Sequence, residues 1–360
     1  MYLVAEIGSN HNHDLGLARE LISVAADAGV DAVKFQLFRT DALYPPHAGA
    51  VETPMGTADL REMFEAVELP YEWLHELHDA ARQTGIAFVC APFDEATLRE
   101  LAKLDMPAIK IASPELNHLP LVRAAARLHH PLICSTGLST IGDIAEAIVT
   151  IEDEWPEPEV VLLQCASAYP LPPEQANLGV IETLRRTFGV HAGLSDHTME
   201  AERIPAVAVA MGAAVIEKHF TLDRALPGPD HPISLEPGEL RRMVATIRTL
   251  EPLGSAQRLA WVQSRFGDVS EIVGDGRKTI VAAERPLYPN DKRSIHAIVD
   301  IAAGDKLGPD NIRVLRSERN LSPGLHPRHW DTVRGARTTH AVMAGEGVQW
   351  EHLLQRKLAP

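Results

Sequence analysis

Two histidines lie where a metal ion could bind between them. His197 follows the run Leu194-Ser195-Asp196, and His219 lies inside the apolar run 215–220. If both runs are neighbouring parallel strands, the two imidazoles could share one divalent cation, because such strands lie about 4.8 Å apart. Two protein ligands leave positions for water and substrate, which suits Mn²⁺ or Mg²⁺ acting as a Lewis acid. A structural role for each histidine is the alternative.

A second group of side chains could bind an anion. Lys34 and Lys110 lie in two other apolar runs, and Ser113 and Ser135 come at or just after the ends of such runs. Two amines and two hydroxyls could hold a phosphate and a carboxylate. Charged groups inside a fold are costly unless they are paired or bind a ligand. We favour a ligand site over the alternative, a structural network in which the lysines pair with glutamates such as Glu6.

The chain has a regular alternation of elements that would position these groups. Eight short runs rich in apolar and β-branched residues are typical of buried parallel strands: 3–7, 32–36, 87–91, 108–112, 131–135, 160–164, 191–194 and 215–220. Eight amphipathic stretches have helical spacing: 15–28, 71–84, 95–104, 119–127, 141–151, 178–188, 201–211 and 237–250. This pattern predicts an α/β fold, a TIM (β/α)8 barrel, with an open doubly wound sheet as the alternative. Chemistry in such a barrel occurs at the carboxyl ends of its strands.

Charge is divided unevenly along the chain. Residues 277–360 carry 14 Lys and Arg against 9 Asp and Glu, whereas residues 1–276 carry 20 against 40. Between these parts, residues 251–276 contain glycines and a proline that interrupt the apolar pattern, as linkers do. We therefore predict a barrel domain at 1–250, a linker at 251–276 and a second domain at 277–360.

The composition argues against several classes of protein. The net charge of −15 argues against a nucleic-acid partner. Neither an apolar run of membrane-spanning length nor a basic and apolar leader is present, so we expect a cytoplasmic protein without a membrane segment. Cys90, Cys134 and Cys165 are too widely spaced for a disulfide framework, and we expect three buried, reduced thiols.

The motifs at the strand ends resemble those of the sialic acid synthases, which make nine-carbon nonulosonic acids from phosphoenolpyruvate and a six-carbon amino sugar. The second domain resembles the small antifreeze-like (SAF) domain of that family, through Arg293-Ser294-Ile295, 300–305 and 316–327. The resemblance covers nearly the whole chain and implies a small β-rich domain after the barrel. The barrel motifs that carry it are Ala5-Glu6-Ile7-Gly8-Ser9-Asn10-His11, Asp31-Ala32-Val33-Lys34-Phe35-Gln36, Ala91-Pro92-Phe93-Asp94, Lys110-Ile111-Ala112-Ser113-Pro114-Glu115, Ser135-Thr136-Gly137, Leu194-Ser195-Asp196-His197-Thr198, Glu217-Lys218-His219-Phe220-Thr221 and Pro227-Gly228-Pro229-Asp230-His231.

The resemblance implies roles for individual side chains. His197 and His219 correspond to the two metal-binding histidines of the family, and Glu6 corresponds to a catalytic carboxylate. The positions that bind phosphoenolpyruvate correspond to Lys34, Lys110, Ser113, Ser135 and Ser167. The positions that contact the sugar correspond to Gln36, Glu115, Tyr169 and Asp230.

The resemblance also implies a reaction. The metal polarises the aldehyde of the open-chain sugar, C3 of phosphoenolpyruvate attacks it, and water adds at C2 before phosphate departs with C–O cleavage. Metal and lysines would stabilise the negative charge that develops on the aldehyde oxygen and on the leaving phosphate. We expect Glu6, Lys34, Lys110 and His219 to be catalytic, with Glu6 as acid or base in the water step.

In the family, the small domain reaches across a homodimer, and one of its arginines contacts the N-acyl group of the sugar in the partner's barrel. We expect such a homodimer here. Arg319 is the expected contact, and Arg316 is the alternative. The uneven charge fits this arrangement, because a positive domain is attracted to a negative barrel.

The motifs point to different sugars. Gly228-Pro229-Asp230-His231 resembles neuraminate and legionaminate synthases, whereas Gly324-Leu325-His326-Pro327 resembles pseudaminate synthases. We predict N-acetylmannosamine or a diacetamido hexose as the acceptor, with pseudaminic acid synthesis as the alternative. Two other classes remain open: a metal-independent aldolase that forms a Schiff base through Lys34 or Lys110, and a non-catalytic binding protein.

Overall fold

Eight parallel strands close into a barrel in the computed structural model, which describes residues 1–53, 56–317 and 321–354. In chain order, the strands of these residues are β1 (Tyr2–Gly8), β2 (Ala32–Leu37), β3 (Ala50–Thr53), β4 (Gly56–Asp59), β5 (Ala87–Pro92), β6 (Ile109–Ile111), β7 (Leu132–Ser135), β8 (Val160–Gln164), β9 (His191–Asp196), β10 (Val215–His219), β11 (Arg293–Ala297) and β12 (Ile312–Arg316). The barrel order is β1-β10-β9-β8-β7-β6-β5-β2. The predicted TIM barrel is confirmed.

A helix follows each barrel strand and covers the outside of the barrel. The helices of the described residues are α1 (Leu15–Ala28), α2 (Thr40–Leu43), α3 (Leu60–Glu65), α4 (Leu74–Thr84), α5 (Glu95–Leu101), α6 (Leu119–Ala126), α7 (Ile141–Glu154), α8 (Val180–Phe188), α9 (Arg203–Ala210), α10 (Pro237–Leu250), α11 (Ser255–Phe266), α12 (Ser270–Val273) and α13 (Trp330–Val333). Several begin at residues that cap helices well. Asp94 accepts hydrogen bonds from the first turn of α5, and Thr140 and Asp143 form a capping box at the start of α7.

The alternation of residues along each strand divides the barrel into two packed regions. Outward-facing side chains such as Leu3 and Ile7 pack against the helices in the main core. Inward-facing side chains at the amino end of the barrel form a smaller apolar layer: Val4, Ala32, Val89, Ala108, Ile133, Leu163 and Val215. Two positions further along five of these strands come buried polar residues: Glu6, Lys34, Lys110, Ser135 and Glu217. The interior is therefore apolar at one end and polar at the carboxyl ends of its strands.

Residues 251–276, which we predicted as a linker, contain two helices. α11 packs against α9, and both Val262 and Ile272 belong to the main core of the barrel. The hairpin of β3 and β4 was not predicted either. Among the described residues, no helix is both long enough and apolar enough to cross a membrane.

The small domain has its own core and a two-stranded antiparallel sheet of β11 and β12. Its core contains Ile295, Ala297, Ile301, Leu307, Ile312, Val314, Leu325, Val333, Val342 and Val348. The domain lies over the carboxyl ends of the strands of its own barrel. Asn117, which follows β6, exchanges two hydrogen bonds with the backbone of Arg293 at the start of β11. The start of the small domain is thus bonded directly to a loop of the barrel.

Candidate active site

The register of the strands places three predicted catalytic residues side by side. β1 lies between β10 and β2, and Glu6 is in register with His219 on one side and with Lys34 on the other. Side chains in register on neighbouring parallel strands face the same side of the sheet. The carboxylate, the amine and the imidazole therefore enter the barrel interior at one level.

These residues line a cavity at the carboxyl ends of the strands. Its free volume is small, about 50 Å³, because charged side chains fill the barrel mouth. A larger cleft of about 490 Å³ lies between the barrel and the small domain, but no predicted site residue lines it. The lining of the cavity in the barrel mouth is Glu6, Lys34, Gln36, Lys110, Ala112, Ser113, Pro114, Ser135, Cys165, Tyr169, Ser195, His197, Glu217 and His219.

Four buried groups of alternating charge occupy the mouth, and we call Glu6, Lys34, Lys110 and Glu217 the barrel-mouth charges. Nζ of Lys34 lies 2.8 Å from Glu6 and 3.6 Å from Glu217, and Nζ of Lys110 lies 3.7 Å from Glu217. Burial opposes the charge on Lys34, but Glu217 and Glu6 outweigh it and raise the pKa of that amine. Burial and the neighbouring Lys34 lower the pKa of Lys110, and burial raises the pKa of Glu6.

Beside these charges, Ser113 and Ser167 lie against Gly137, and Lys110 bonds to Ser135. We call Lys110, Ser113, Ser135 and Ser167 with this glycine the serine cradle. Lys110 donates a hydrogen bond of 2.7 Å to Oγ of Ser135, and the amide of Gly137 donates one of 2.9 Å to Oγ of Ser113. A Cβ at position 137 would lie 2.3 Å from Oγ of Ser167, so only glycine lets these loops approach so closely. Oγ of Ser167 is buried and has no hydrogen-bond partner among the described residues. Such a group is available to a ligand.

The two predicted metal-binding histidines lie next to each other. Their ring centroids are 5.5 Å apart. Nδ1 of His197 lies 2.8 Å from the carbonyl oxygen of Ala166. Because a carbonyl only accepts, Nδ1 carries a proton, and Nε2 is the ring atom through which His197 could bind a metal. Burial lowers the pKa of His219 to about 4, so this imidazole is neutral, and its buried Nδ1 lacks a hydrogen-bond partner within the described chain.

These features fit a divalent cation held by the two imidazoles. Across residues 1–53, 56–317 and 321–354, no group of three or more His, Cys, Asp or Glu side chains is arranged to hold a metal. Other ligands would therefore come from water or substrate. The thiol of Cys165 lies 3.8 Å from Nδ1 of His197. Burial opposes the charged imidazole of His197, but Cys165 outweighs burial and raises the pKa of His197 to about 9. A metal that binds Nε2 would therefore have to displace the proton on that nitrogen.

The residues predicted to contact the sugar lie at different distances from the cavity. Gln36 lines it and donates a hydrogen bond of 2.7 Å to Glu6. Tyr169 is 52% exposed at the rim, with its ring centroid 4.2 Å from that of His197. Asp230 lies behind His219, 4.0 Å from Nδ1. Tyr169 and Asp230 thus lie next to the histidine pair, and Gln36 lies next to Glu6, which is in register with His219.

Glu115 is fully buried beneath the small domain and is not part of the cavity lining. One of its oxygens accepts a hydrogen bond of 2.6 Å from Nε of Arg293, and the other accepts one of 2.7 Å from Arg316. Burial opposes its charge, but Arg293 and Arg316 outweigh it and lower the pKa of Glu115. We call Arg293 and Glu115 the interface pair. A contact between Glu115 and a sugar would have to replace one of these ion pairs. Arg319 lies outside the described residues.

Sequence reasoning missed several polar groups at this end of the barrel. Glu217 lies two residues before His219 on β10, so the two side chains face the same side of the strand. This alternation could have identified Glu217 as a residue of the site. No local signal marks Glu284, which is fully buried and bonds the backbone of two barrel loops. The same holds for Lys278, whose Nζ lies 3.1 Å from the carbonyl oxygen of Cys165. Both residues come from the segment that joins the two domains.

Comparisons with known proteins agree with this architecture. The model of the NeuB family matches residues 21–257, and the model of the SAF domain matches residues 292–354. The chain is 34% identical to the N,N'-diacetyllegionaminic acid synthase of Legionella pneumophila, over 98% of this chain and 94% of that protein. It is 31% identical to a pseudaminic acid synthase of Campylobacter jejuni, over 97% of this chain and 95% of that protein.

A solved structure shows the same fold along the whole chain. The spore coat polysaccharide biosynthesis protein SpsE of Bacillus subtilis superposes with a TM-score of 0.84 at 36% identity, covering 99% of this chain and 96% of that one. The predicted resemblance and the predicted type of the second domain are both confirmed. The chain belongs to the NeuB family, and its barrel is followed by a SAF domain.

Proposed function

We propose that this protein is a nonulosonic acid synthase that condenses phosphoenolpyruvate with an N-acylated hexosamine in the cytoplasm and releases phosphate. The observation that carries the proposal is the meeting of the serine cradle and the histidine pair at one cavity. Ser113, Ser135 and His219 all line this cavity, although they come from separate strands or strand ends. The serine cradle suits a phosphate ester, and the histidine pair suits a cation that binds an aldehyde oxygen.

The serine cradle would hold phosphoenolpyruvate. Lys110 and Ser135 already share a hydrogen bond, and the free Oγ of Ser167 supplies one more donor at the same place. The charged amine of Lys34 would neutralise the carboxylate or the phosphate. The same positive groups would then stabilise the departing phosphate, whose charge grows as the C–O bond breaks.

His197 and His219 would hold the divalent metal, with Mn²⁺ as our first choice and Mg²⁺ as the alternative. A bound cation of this kind supplies Lewis acidity towards the sugar aldehyde. The new C–C bond joins C3 of phosphoenolpyruvate to the aldehyde carbon, water adds at C2, and phosphate leaves with its bridging oxygen. Glu6 would exchange the proton of that water, because its raised pKa suits a group that takes up and returns a proton.

The acceptor is proposed to be N-acetylmannosamine or a diacetamido hexose, which gives a neuraminate- or legionaminate-type product. Gln36, Tyr169 and Asp230 would contact its hydroxyls, because Tyr169 and Asp230 lie next to the histidine pair and Gln36 bonds to Glu6 at the same cavity. Arg319 would contact the N-acyl group, with Arg316 as the alternative, and Glu115 would act together with this arginine. Replacement of Arg319 by alanine should raise KM for the sugar far more than KM for phosphoenolpyruvate. An equal rise in both would contradict this role.

We also propose a homodimer in which each small domain covers the barrel of the partner. In the single chain the small domain lies on its own barrel, but an exchange of identical domains forms the same contacts between two chains. Light scattering should give the mass of a dimer. Mixing a variant with an inactive barrel and a variant with an inactive small domain should restore activity, and failure to do so would exclude the exchange.

The decisive experiment measures phosphate release from phosphoenolpyruvate by metal-stripped protein, with and without Mn²⁺. N-acetylmannosamine and the diacetamido hexoses that lead to legionaminic and pseudaminic acids are tested in parallel. Release that needs both the metal and one of these sugars supports the proposal and identifies the product. No release with any sugar would overturn it.

A Schiff-base aldolase is the second candidate, and the lowered pKa of Lys110 favours it, because a neutral amine is the nucleophile in that chemistry. Borohydride would trap such an enzyme on its carbonyl substrate. We expect no covalent adduct at Lys110 and full sensitivity to chelators. Trapping at this lysine without metal would favour the aldolase.

A further inference from the structure

We propose that Glu284, in the segment between the barrel and the small domain, is a positioning residue that sets the geometry of the serine cradle. This inference rests on the proposed function, in which the cradle holds phosphoenolpyruvate. Its carboxylate bonds to the backbone of two loops, one after β7 and one after β8. These loops carry the glycine and one of the serines of the cradle.

One oxygen of Glu284 makes both contacts. It accepts a hydrogen bond of 2.7 Å from the amide of Leu138 and one of 2.8 Å from the amide of Ser167. The other oxygen lies 3.3 Å from the amide of Val281, within the segment of Glu284 itself. Hydrogen bonds from amides to a carboxylate are stronger than those to a neutral acceptor. A single charged atom therefore fixes the separation of the two loops.

The burial of Glu284 makes this contact costly to lose. The residue is 0% exposed, and a buried carboxylate without donors is strongly destabilised. Burial lowers the pKa of the Lys278 amine in the same segment, and Glu284 partly offsets this effect because its carboxylate favours the charged form of the amine. Lys278 itself bonds the side chain of Gln164 and the carbonyl of Cys165 at the end of β8. The segment is thus hydrogen-bonded to the carboxyl end of β8 and the loop after it through both side chains.

The backbone at Leu138 shows why a fixed partner is needed. Leu138 has φ of 53°, a left-handed conformation that is unfavourable for a residue other than glycine. Its amide donates to Glu284, so the carboxylate holds the residue in this conformation. The preceding Gly137 then lies so close to Ser167 and Ser113 that a Cβ there would be 2.3 and 2.8 Å from their hydroxyl oxygens. A small shift of either loop would separate the hydroxyls that the phosphate needs.

The test compares three variants of the full chain, each assayed with Mn²⁺ present. Glu284→Ala removes both acceptor oxygens, whereas Glu284→Gln keeps one oxygen at nearly the same length. Lys292→Met is the matched control, because it breaks the ion pair of 2.8 Å between Lys292 and Asp143 across the same domain contact without touching the cradle. Steady-state kinetics give KM for phosphoenolpyruvate and for the sugar separately. Hydrogen exchange is followed in peptides that contain Leu138 and Ser167.

We expect Glu284→Ala to raise KM for phosphoenolpyruvate by about tenfold or more, as the loss of charge-assisted hydrogen bonds predicts. KM for the sugar should change less than threefold, and the amides of Leu138 and Ser167 should exchange faster. Glu284→Gln should restore most of the affinity for phosphoenolpyruvate, and Lys292→Met should leave it unchanged. If the alanine variant does not fold, Glu284→Asp takes its place, because the shorter side chain cannot reach both amides.

Three outcomes would overturn the inference. KM for phosphoenolpyruvate could stay unchanged in the alanine variant, both KM values could rise equally, or Lys292→Met could have the same effect as Glu284→Ala. Each would show that Glu284 only supports the fold. A wild-type protein that neither binds nor consumes phosphoenolpyruvate would overturn the proposed function first. Faster amide exchange in Glu284→Ala would then still confirm the contact with the two loops, so the two failures are distinguishable.

Discussion

Two groups of buried polar side chains lie within one end of this molecule, and they differ in how completely their hydrogen bonds are satisfied. In the interface pair, every guanidinium nitrogen of Arg293 donates a hydrogen bond: Nε to Glu115, Nη1 to Ala42 and Nη2 to Phe93, at 2.6, 2.7 and 2.9 Å. In the barrel mouth, by contrast, the buried Oγ of Ser167 and Nδ1 of His219 have no hydrogen-bond partner among the described residues.

This difference in hydrogen bonding distinguishes side chains that stabilise the fold from side chains that bind a ligand. A buried polar atom without a partner costs free energy, so a folded protein keeps it only where another need outweighs that cost. Every guanidinium nitrogen of the interface pair already donates to Glu115 or to a backbone carbonyl. The barrel mouth and the serine cradle keep unused atoms. We therefore expect variants of the first group to lose stability and variants of the second group to lose activity.

Arg293→Ala should have the largest effect, a loss of about 3–5 kcal/mol in the free energy of unfolding. The variant leaves the fully buried Glu115 with Arg316 alone and also removes the donors to Ala42 and Phe93. Urea unfolding measures this loss. The control is Arg265→Ala, which breaks an exposed ion pair of 3.1 Å with Glu202 and should cost less than about 1 kcal/mol. Equal losses in the two variants would show that the interface pair contributes no more to the free energy of unfolding than a surface ion pair does.

His219→Ala should lower metal-dependent turnover by about 100- to 1000-fold, the effect of removing one group that stabilises developing charge. The fold should remain, because the low pKa of His219, about 4, means that no buried charge is lost at neutral pH. Phosphate release with and without Mn²⁺ measures the change.

His296 in the small domain provides the comparison, because burial also lowers its pKa to about 4, but its ring nitrogens bond to Gly345 and Ser294. His296→Ala should lower the melting temperature and keep the response of turnover to Mn²⁺. Full activity in His219→Ala would exclude this residue as a metal ligand.

Gly137→Ala should raise KM for phosphoenolpyruvate by about tenfold, which lies within the range expected when a well-packed site is overfilled. The new Cβ would lie 2.3 Å from Oγ of Ser167, so the serine cradle must open. The matched control is Gly142→Ala at the start of α7, where the nearest atom lies at 3.6 Å. This change should leave KM unaltered and slightly stabilise the helix. An unchanged KM in Gly137→Ala would place the phosphate elsewhere.

The smallest effect concerns the ion pair of Lys292 and Asp143 across the domain contact. Burial opposes the charge on Asp143, but Lys292 and Thr140 outweigh it and lower the pKa of Asp143 below its usual value of 3.8. A lowered pKa of an acid contributes stability above its unfolded pKa, and this contribution disappears as the pH falls through the folded pKa.

A double-mutant cycle with Asp143→Asn and Lys292→Met should therefore give a coupling energy of about 0.5–1 kcal/mol at pH 7. The coupling should shrink below about pH 3.8. Urea unfolding at both pH values measures it. A coupling that grows on acidification would contradict the sign of this shift.

Much of the barrel could be predicted because its signals are local. Short apolar runs and helical stretches repeat along the chain, and the strands lie within one or two residues of the predicted ranges, as at Val160–Gln164 and Ala87–Pro92. Lys34 and Lys110 lie within two of these runs, and they face the barrel interior because they come two residues after the inward-facing Ala32 and Ala108. Reliance on local signals is also why the helices within residues 251–276 were not predicted. α11 has ordinary helical spacing but follows glycine and proline, and its packing against α9 is not a local property.

The site could be predicted where its residues belong to strands or to the loops that directly follow them. His197 and His219 come together because their strands are neighbours in the barrel. Glu284 could not be found in this way, since it lies 146 residues from Leu138 in the chain and bonds backbone atoms, which carry no sequence signature. Arg293 was noticed only as part of a motif, and its role in the interface pair was not predicted.

The amino-acid sequence by itself determined the closed barrel, the polar carboxyl ends of its strands and the type of the second domain, because strand alternation and short motifs act over a few residues. Only the tertiary structure decided how the two domains meet. Glu115 turns from the cavity to two arginines of the small domain, and Glu284 ties the serine cradle to the segment between the domains. Buried charges must find partners wherever the packed chain brings them. That choice depends on contacts between residues more than a hundred positions apart.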